Sequence, residues 1–213
     1  FQAAIIDYRP KLNPKYKKIK RKQTRYLIVH TSELGLEYTL RVVSRGKRFR
    51  NGRRTDGVHT HYVIARNGRT YRILDKQWVA DHAGRSMWNG DTDISKLSIG
   101  IELVGYHYAP LSAAQYRSVG LLIDILQSVY GLDDRAVLTH SQVAYGPPNR
   151  WFRRDHRGRK RCAKNFVRAR AGLGPTWSFD PDVRAGRITA DPQLAKVFYS
   201  REQPELQLAE ANV

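Results

Sequence analysis

Apolar residues fall along this chain in short blocks of two kinds. Tyr26-Leu27-Ile28-Val29 is dense and continuous, the pattern of a strand buried on both faces. It stops abruptly at His30-Thr31-Ser32. Leu36, Leu40 and Val43 then recur at helical spacing, and the polar, Arg-rich residues 44–56 read as a loop. Val58 to Ala65 predicts a second strand and Tyr71 to Leu74 its return. Asn67-Gly68 between them is a hairpin signal, because both positions of such a turn need positive φ. Residues 75–97 form a long loop carrying Trp78, His82, Gly84, Trp88 and Gly90, side chains of the recognition type. In Ser98 to Val104, Ile99, Ile101 and Leu103 share one face, while Ser98, Gly100 and Glu102 share the other. Glu102 is therefore aimed away from the most apolar face.

Ser112-Ala113-Ala114-Gln115 is a capping box. The helix it opens carries Tyr116, Val119, Ile123, Leu126 and Tyr130, and Gly131 stops it. Ala136-Val137-Leu138 predicts a short strand that ends at Thr139-His140. A Pro- and Arg-rich loop follows over 145–165, then a short helix near 193–199 and an acidic end. Strands alternating with helices predict an α/β layered domain. The expected division is a basic arm over 1–24, one folded domain over 25–172, and a C-terminal extension over 173–213.

Composition narrows the class. Hydrophobic residues make up 41% and charged residues 27%, which belongs to a folded globular chain rather than a disordered one. No run of about 18 apolar residues exists, so no transmembrane segment is expected. The formal charge of +19 predicts attraction to polyanions. Nucleic acid and anionic cell walls answer that description equally well. Six of the eight residues from Lys15 to Lys22 are cationic, read either as a solvated arm or as one that binds a wall or a partner. The chain begins at Phe1, read as a processed or trimmed terminus, with any export signal upstream of it.

Candidate chemistry enters with two histidines. His30 and His140 each sit just past a short buried strand, the edge of an α/β sheet where functional side chains collect. The chain has one cysteine, which excludes an intramolecular disulfide. That residue, Cys162, lies in Arg159-Lys160-Arg161-Cys162-Ala163-Lys164, where neighbouring cations favour the thiolate. Two imidazoles and a thiolate are three zinc ligands, and three plus water is the catalytic arrangement. Spacing alone makes this one grouping among many.

Six local words make it specific. Ile28-Val29-His30-Thr31 resembles the first zinc motif of the amidase family that includes phage lysozyme amidases, cytosolic muropeptide amidases and animal peptidoglycan recognition proteins. His61-Tyr62-Val63-Ile64-Ala65-Arg66-Asn67-Gly68 is similar to its His-Tyr-Val-Ile strand and hairpin. His82-Ala83-Gly84-Arg85-Ser86 resembles its His-Ala-Gly loop, and Ser98-Ile99-Gly100-Ile101-Glu102-Leu103 its most recognisable strand. Thr139-His140-Ser141-Gln142-Val143-Ala144 resembles the second zinc motif, and Gly158-Arg159-Lys160-Arg161-Cys162 the segment carrying the third ligand. The words occur in family order over about residues 25–167.

The resemblance implies a single domain with a central mixed β-sheet flanked by helices. It also implies one zinc ion held by His30, His140 and Cys162. Many members use Asp as third ligand and the phage lysozyme amidases Cys; both carry the same charge. Glu102 matches the family glutamate that moves protons, and Lys160 the lysine that stabilises an anionic intermediate. The implied reaction is hydrolysis of the amide between N-acetylmuramic acid and the L-alanine of the peptidoglycan stem peptide. His82 and His61 are candidates for contact with the muramyl-peptide, with packing as the alternative for His61. Trp78 and Trp88 are candidates for stacking on sugar or covering the cleft, with core packing as the alternative. Two departures stand out. Thr60 occupies the position where some branches carry a catalytic tyrosine, which places this chain with the glutamate-using branch. Ala163-Lys164 replaces the usual Pro-Gly after the third ligand.

Two other readings compete with this one. A non-catalytic peptidoglycan-binding relative would be expected to lack a ligand, whereas all three positions are metal-competent here. A specific nucleic-acid binder would need a recognisable element, and no zinc-finger spacing, RNP-type strand or recognition helix is present. The charge then points to anionic envelope polymers as partners. A monomer acting outside the cytoplasm, in periplasm, cell wall or secreted, is the expectation, with a phage lysin as the alternative source.

Overall fold

The computed structural model describes residues 5–174 and 176–199. Its strands are β1 (Ile6–Asp7), β2 (Tyr26–Thr31), β3 (Tyr62–Ile64), β4 (Thr70–Arg72), β5 (Met87–Trp88), β6 (Asp91–Thr92), β7 (Ser98–Leu103) and β8 (Val137–Thr139). Its α-helices are α1 (Leu36–Arg45), α2 (Ala113–Tyr130), α3 (His140–Val143), α4 (Pro181–Arg184) and α5 (Pro192–Tyr199). Six strands form one sheet in the order β1-β4-β3-β7-β2-β8. All neighbours run parallel except the β3–β4 hairpin. The expected mixed sheet flanked by helices is the fold observed.

Every residue of β2 is buried, as its unbroken apolar run requires of a central strand. Leu27 and Val29 join Ile99, Ile101 and Leu103 of β7 under helix α2, which contributes Val119, Leu122 and Ile123. Tyr26 and Ile28 face the opposite way, onto Trp88, Ile94, Leu138 and Val143. His30 and Glu102 belong by alternation to this second face, beyond the end of its apolar packing. Helix α2 begins as its sequence demands. Ser112 Oγ accepts from Gln115 N at 3.1 Å, Gln115 Oε1 accepts from Ser112 N at 3.0 Å, and Gly131 closes the helix at φ 62°.

Several elements differ from expectation. The strand predicted from Val58 is only Tyr62–Ile64. At Asn67-Gly68 only Gly68 takes positive φ, 84°. The turn with both residues left-handed is Asn89-Gly90, at 49° and 84°, and it joins β5 to β6 inside the stretch expected to be a loop. Residues 5–24, expected as a basic arm, pack into the fold: β1 extends the sheet beside β4. Arg21 is buried and donates to the carbonyls of Ser98 at 3.0 Å and Trp78 at 3.1 Å. Its guanidinium fills donor geometry that no apolar pattern announces. The acidic end beyond Tyr199 lies outside the described residues.

Residues 176–199 are tied down by a buried ion cluster. Arg157 donates to Asp180 Oδ2 at 2.6 Å, to Asp182 Oδ2 at 3.0 Å, and to the carbonyls of Met87 and Val143. Asp182, fully buried, also accepts from the backbone of Asn89 and Gly90 at 3.0 and 2.8 Å, fixing the β5–β6 turn. Removing one partner would leave the other charges buried and uncompensated. Arg157→Met should therefore lower unfolding free energy by about 3–5 kcal/mol, read from urea midpoints. Arg154→Met, at an exposed arginine, should change it by less than about 0.5 kcal/mol. Equal midpoints for the two variants would contradict this account.

Candidate metal centre and active site

Three separate elements bring the donors together. His30 stands near the end of β2, His140 opens α3, and Cys162 sits on the loop before residue 166. The α3 start is set by a second capping box, Thr139 with Gln142. Cys162 is pinned to the strand end: Thr31 N donates to its Sγ at 3.2 Å, and Ala163 N donates to Thr31 Oγ1 at 2.8 Å. Ala163 takes φ 58°, a value that the proline ring forbids. Alanine in place of proline here therefore goes with a different backbone path and not only a different side chain.

The ligand atoms of His30, His140 and Cys162 all lie within 4.8 Å of one another. His30 Nδ1 is 3.7 Å from Cys162 Sγ; a tetrahedral zinc ion would hold nitrogen and sulfur about 3.6 Å apart. His30 Nε2 meets His82 Nδ1 at 2.9 Å, and His140 Nε2 meets the Ala83 carbonyl at 3.1 Å. Both Nδ1 atoms are thereby left for a cation. Burial, reinforced by His140 and His82, holds His30 well below the usual imidazole range; burial and Lys160 hold His140 down at about 3. Both rings are neutral, the form that binds metal. Burial pushes the Cys162 thiol up, with Glu102 adding to the effect. A divalent cation would reverse that, so the donor set fits a zinc-type ion.

Glu102 pairs in register with His30 across the parallel β2–β7 ladder. Among the described residues no protein donor reaches its carboxyl group, which lines a cleft of about 590 Å³ together with the three donors, Glu33, Lys160 and Arg161. Burial and then the nearby Glu33 carboxylate raise Glu102 to about 8. Lys160 is exposed on the cleft rim. The cleft thus brings together three soft or imidazole donors, an unengaged carboxyl group and a free ammonium.

The family profile for N-acetylmuramoyl-L-alanine amidase matches residues 20–163. The chain belongs to this family. It is 36% identical over 73 residues to the 1,6-anhydro-N-acetylmuramyl-L-alanine amidase AmpD of Haemophilus influenzae, covering 34% of this chain. It is 29% identical over 103 residues to the N-acetylmuramoyl-L-alanine amidase AmiD of Escherichia coli, covering 41% of this chain. The matched segments span 40% and 37% of those relatives' lengths. The fold is similar to the crystal structure of a selenomethionine AmpD derivative, with TM-score 0.57 at 22% identity over 70% of this chain and 87% of that one.

For three of the candidate contacts the packing alternative describes the structure. His61 is fully buried: its Nδ1 accepts from Gly100 N at 3.0 Å and its Nε2 lies 2.9 Å from the Trp78 carbonyl. Trp88 is 0% exposed, packed edge-on to Trp177. Trp78 packs with Val58 and Leu74 beneath the N-terminal segment. None of the three lines the cleft. His82 does border it, with both ring nitrogens engaged by His30 and Ser98. Thr60, at the position of the tyrosine found in other branches, is buried and donates to the Gly100 carbonyl. Sequence reasoning missed Glu33 and His107. Glu33 takes φ 56° and accepts from Thr31 Oγ1 at 2.7 Å, from His107 N at 3.0 Å, and meets His107 Nδ1 at 3.0 Å. No local word marks that pairing, since it spans 74 residues.

The raised Glu102 carboxyl carries a stability signature. In the unfolded chain it ionises near its ordinary value of 4.5, whereas in the metal-free fold it stays protonated to about 8. It therefore destabilises the fold increasingly as pH rises across that window. In chelator, Glu102→Gln should raise Tm at pH 8 and leave it unchanged at pH 4. A shift of the same size at both pH values would rule out this electrostatic origin.

Proposed function

We propose that this chain is a zinc-dependent N-acetylmuramoyl-L-alanine amidase that cleaves the amide between N-acetylmuramic acid and the stem-peptide L-alanine. The observation that carries the reading is the meeting of His30, His140 and Cys162 with the unengaged Glu102 in one cleft. Family membership supports the reaction class. Zinc held by the three donors would supply Lewis acidity and a bound water of lowered pKa.

The remaining work falls to the chain's own groups. Glu102, with no protein hydrogen bond to satisfy, takes a proton from the attacking water and returns it to the departing L-alanine nitrogen. Its raised proton affinity suits it to both halves of that transfer. The water oxygen joins the carbonyl carbon, the carbon–nitrogen bond breaks, and a lactyl carboxylate and a free amine result. Lys160, on the cleft rim, stabilises negative charge developing on the carbonyl oxygen. A purely binding relative is disfavoured because every group this chemistry needs is retained.

Purified protein should hold about one zinc per chain and release stem peptides bearing a new L-alanine amino terminus from peptidoglycan. Glu102→Ala should keep its metal and lose about 10²–10⁴ in rate. Protein that binds no zinc, or Glu102→Ala that works at the wild-type rate, would defeat the reading.

The net positive charge supports a second part of the proposal, that anionic envelope polymers outside the cytoplasm retain the enzyme. The hairpin-like segment 46–57 carries Lys47, Arg48, Arg50, Arg53 and Arg54. Arg48 and Arg54 oppose one another across its bridge, a like-charge pairing that is unfavourable without counter-charge. Among the described residues none of these five cations forms an ion pair. Lys47 also lines the cleft, so polymer held here would lie beside the substrate. Replacing the four arginines by glutamine should weaken retention on whole walls at low salt by at least about tenfold while sparing turnover of small soluble muropeptides. High salt should erase the difference. Retention that is indifferent to both changes would exclude this segment.

A further inference from the structure

The hydrogen-bond pattern behind the metal donors gives the His82-Ala83 word a different task from the one its place near the cleft suggests. A histidine can offer Nδ1 to a metal only if its proton sits on Nε2, and a proton there in a buried site needs an acceptor. For His140 that acceptor is the Ala83 carbonyl, 3.1 Å away. For His30 it is His82 Nδ1, 2.9 Å away. One dipeptide therefore holds both imidazoles from behind.

A histidine is an ambiguous acceptor, since either nitrogen can carry its proton. Here the ambiguity is removed one bond further back. Ser98 Oγ donates its only hydrogen to the Ile94 carbonyl at 2.6 Å. It can then offer only lone pairs to His82 Nε2, 3.1 Å away. His82 must place its proton on Nε2 and present Nδ1 to His30. The Ile94 carbonyl, an acceptor only, thus sets the direction of the whole chain. The ring is also held sterically. A Cβ on Gly100 would lie 2.7 Å from His82 Cγ, so only glycine at this point of β7 admits the imidazole. His61 packs edge-on from the far side, with ring centroids 6.0 Å apart.

We propose that His82-Ala83 is an orienting bracket for the metal centre, with His82 a positioning residue that sets the His30 tautomer under the control of Ser98. It rests on the reading of His30 and His140 as metal ligands, and not on the amidase reaction itself. The bracket ties together two separate words, His82-Ala83 and the Ser98-Ile99-Gly100 start of β7, although none of these residues is a ligand.

The test is zinc affinity by competition with a chromogenic chelator, without substrate. His82→Leu should weaken zinc binding by about 10–100-fold. His82→Asn should stay near wild type, because its Oδ1 falls close to the position of Nδ1 and accepts without tautomeric choice. Ser98→Ala should weaken zinc binding several-fold in the wild-type background and add nothing in the His82→Asn background. A merely structural role for Ser98 would give equal losses in both backgrounds and would overturn the proposal. So would His82→Leu with zinc affinity within twofold of wild type, or a raised KM with unaltered affinity, which would restore His82 as a substrate contact. Should His82→Leu fail to fold, the two-background comparison decides alone. If the wild type binds zinc yet leaves peptidoglycan intact, only the amidase reading falls and the affinity series still judges the bracket. If it binds no zinc, both fall.

Discussion

Strand β2 is hydrogen-bonded in parallel to β7 on one side and β8 on the other, with His30 opposite Glu102 and Val29 opposite Thr139. The site depends on that register. Side chains alternate along each strand, so a slip of one residue would turn His30 and Glu102 into the core under α2 and expose their apolar neighbours. The heavy burial of Leu27, Val29, Ile99 and Ile101 is therefore what keeps the ligand and the carboxylate on a common face. Packing energy spent on one side of the sheet secures chemistry on the other.

Behind His30 and His140, the fold buries polar side chains that pair with one another and with the backbone. His61, His82 and Ser98 are buried, and each finds partners in backbone groups or in one another. Gly100 is the pivot: its amide donates to His61, its carbonyl accepts from Thr60 and from His61 N, and its missing side chain makes room for His82. A half-satisfied network at this depth would cost more than an apolar core, which gives the glycine and the two histidines a joint physical reason. Arg21 borders the same network from the N-terminal segment, donating to the carbonyls of Trp78 and Ser98.

The electrostatics of the cleft run opposite to those of the surface. The chain is strongly cationic, yet the cleft floor holds the Glu102 carboxyl group and the Cys162 thiol, whose burial favours their protonated forms. Such a floor is uncomfortable without a positive ion, and its neutral imidazoles are ready for one. Lys160 and Lys47 stand at the rim, where water supports their charge.

The sequence alone was enough for the alternation of strands and helices, the caps of α2, the burial of β2, the family, and the three donors His30, His140 and Cys162 that meet in one cleft, because each of those rests on local words or local periodicity. Only the tertiary structure decided the rest. It added Ile6–Asp7 to the sheet and buried Arg21 against the strands, since both find their partners far along the chain. It settled His61 and Trp88 in the interior and packed the half-buried Trp78 against Val58 and Leu74, because a side chain's face in an irregular loop follows from packing and not from spacing. It brought Glu33 and His107 together across 74 residues. And it aligned Ile94, Ser98, His82 and His30 into one directed chain of hydrogen bonds, whose sense depends on which lone pairs face which protons in three dimensions.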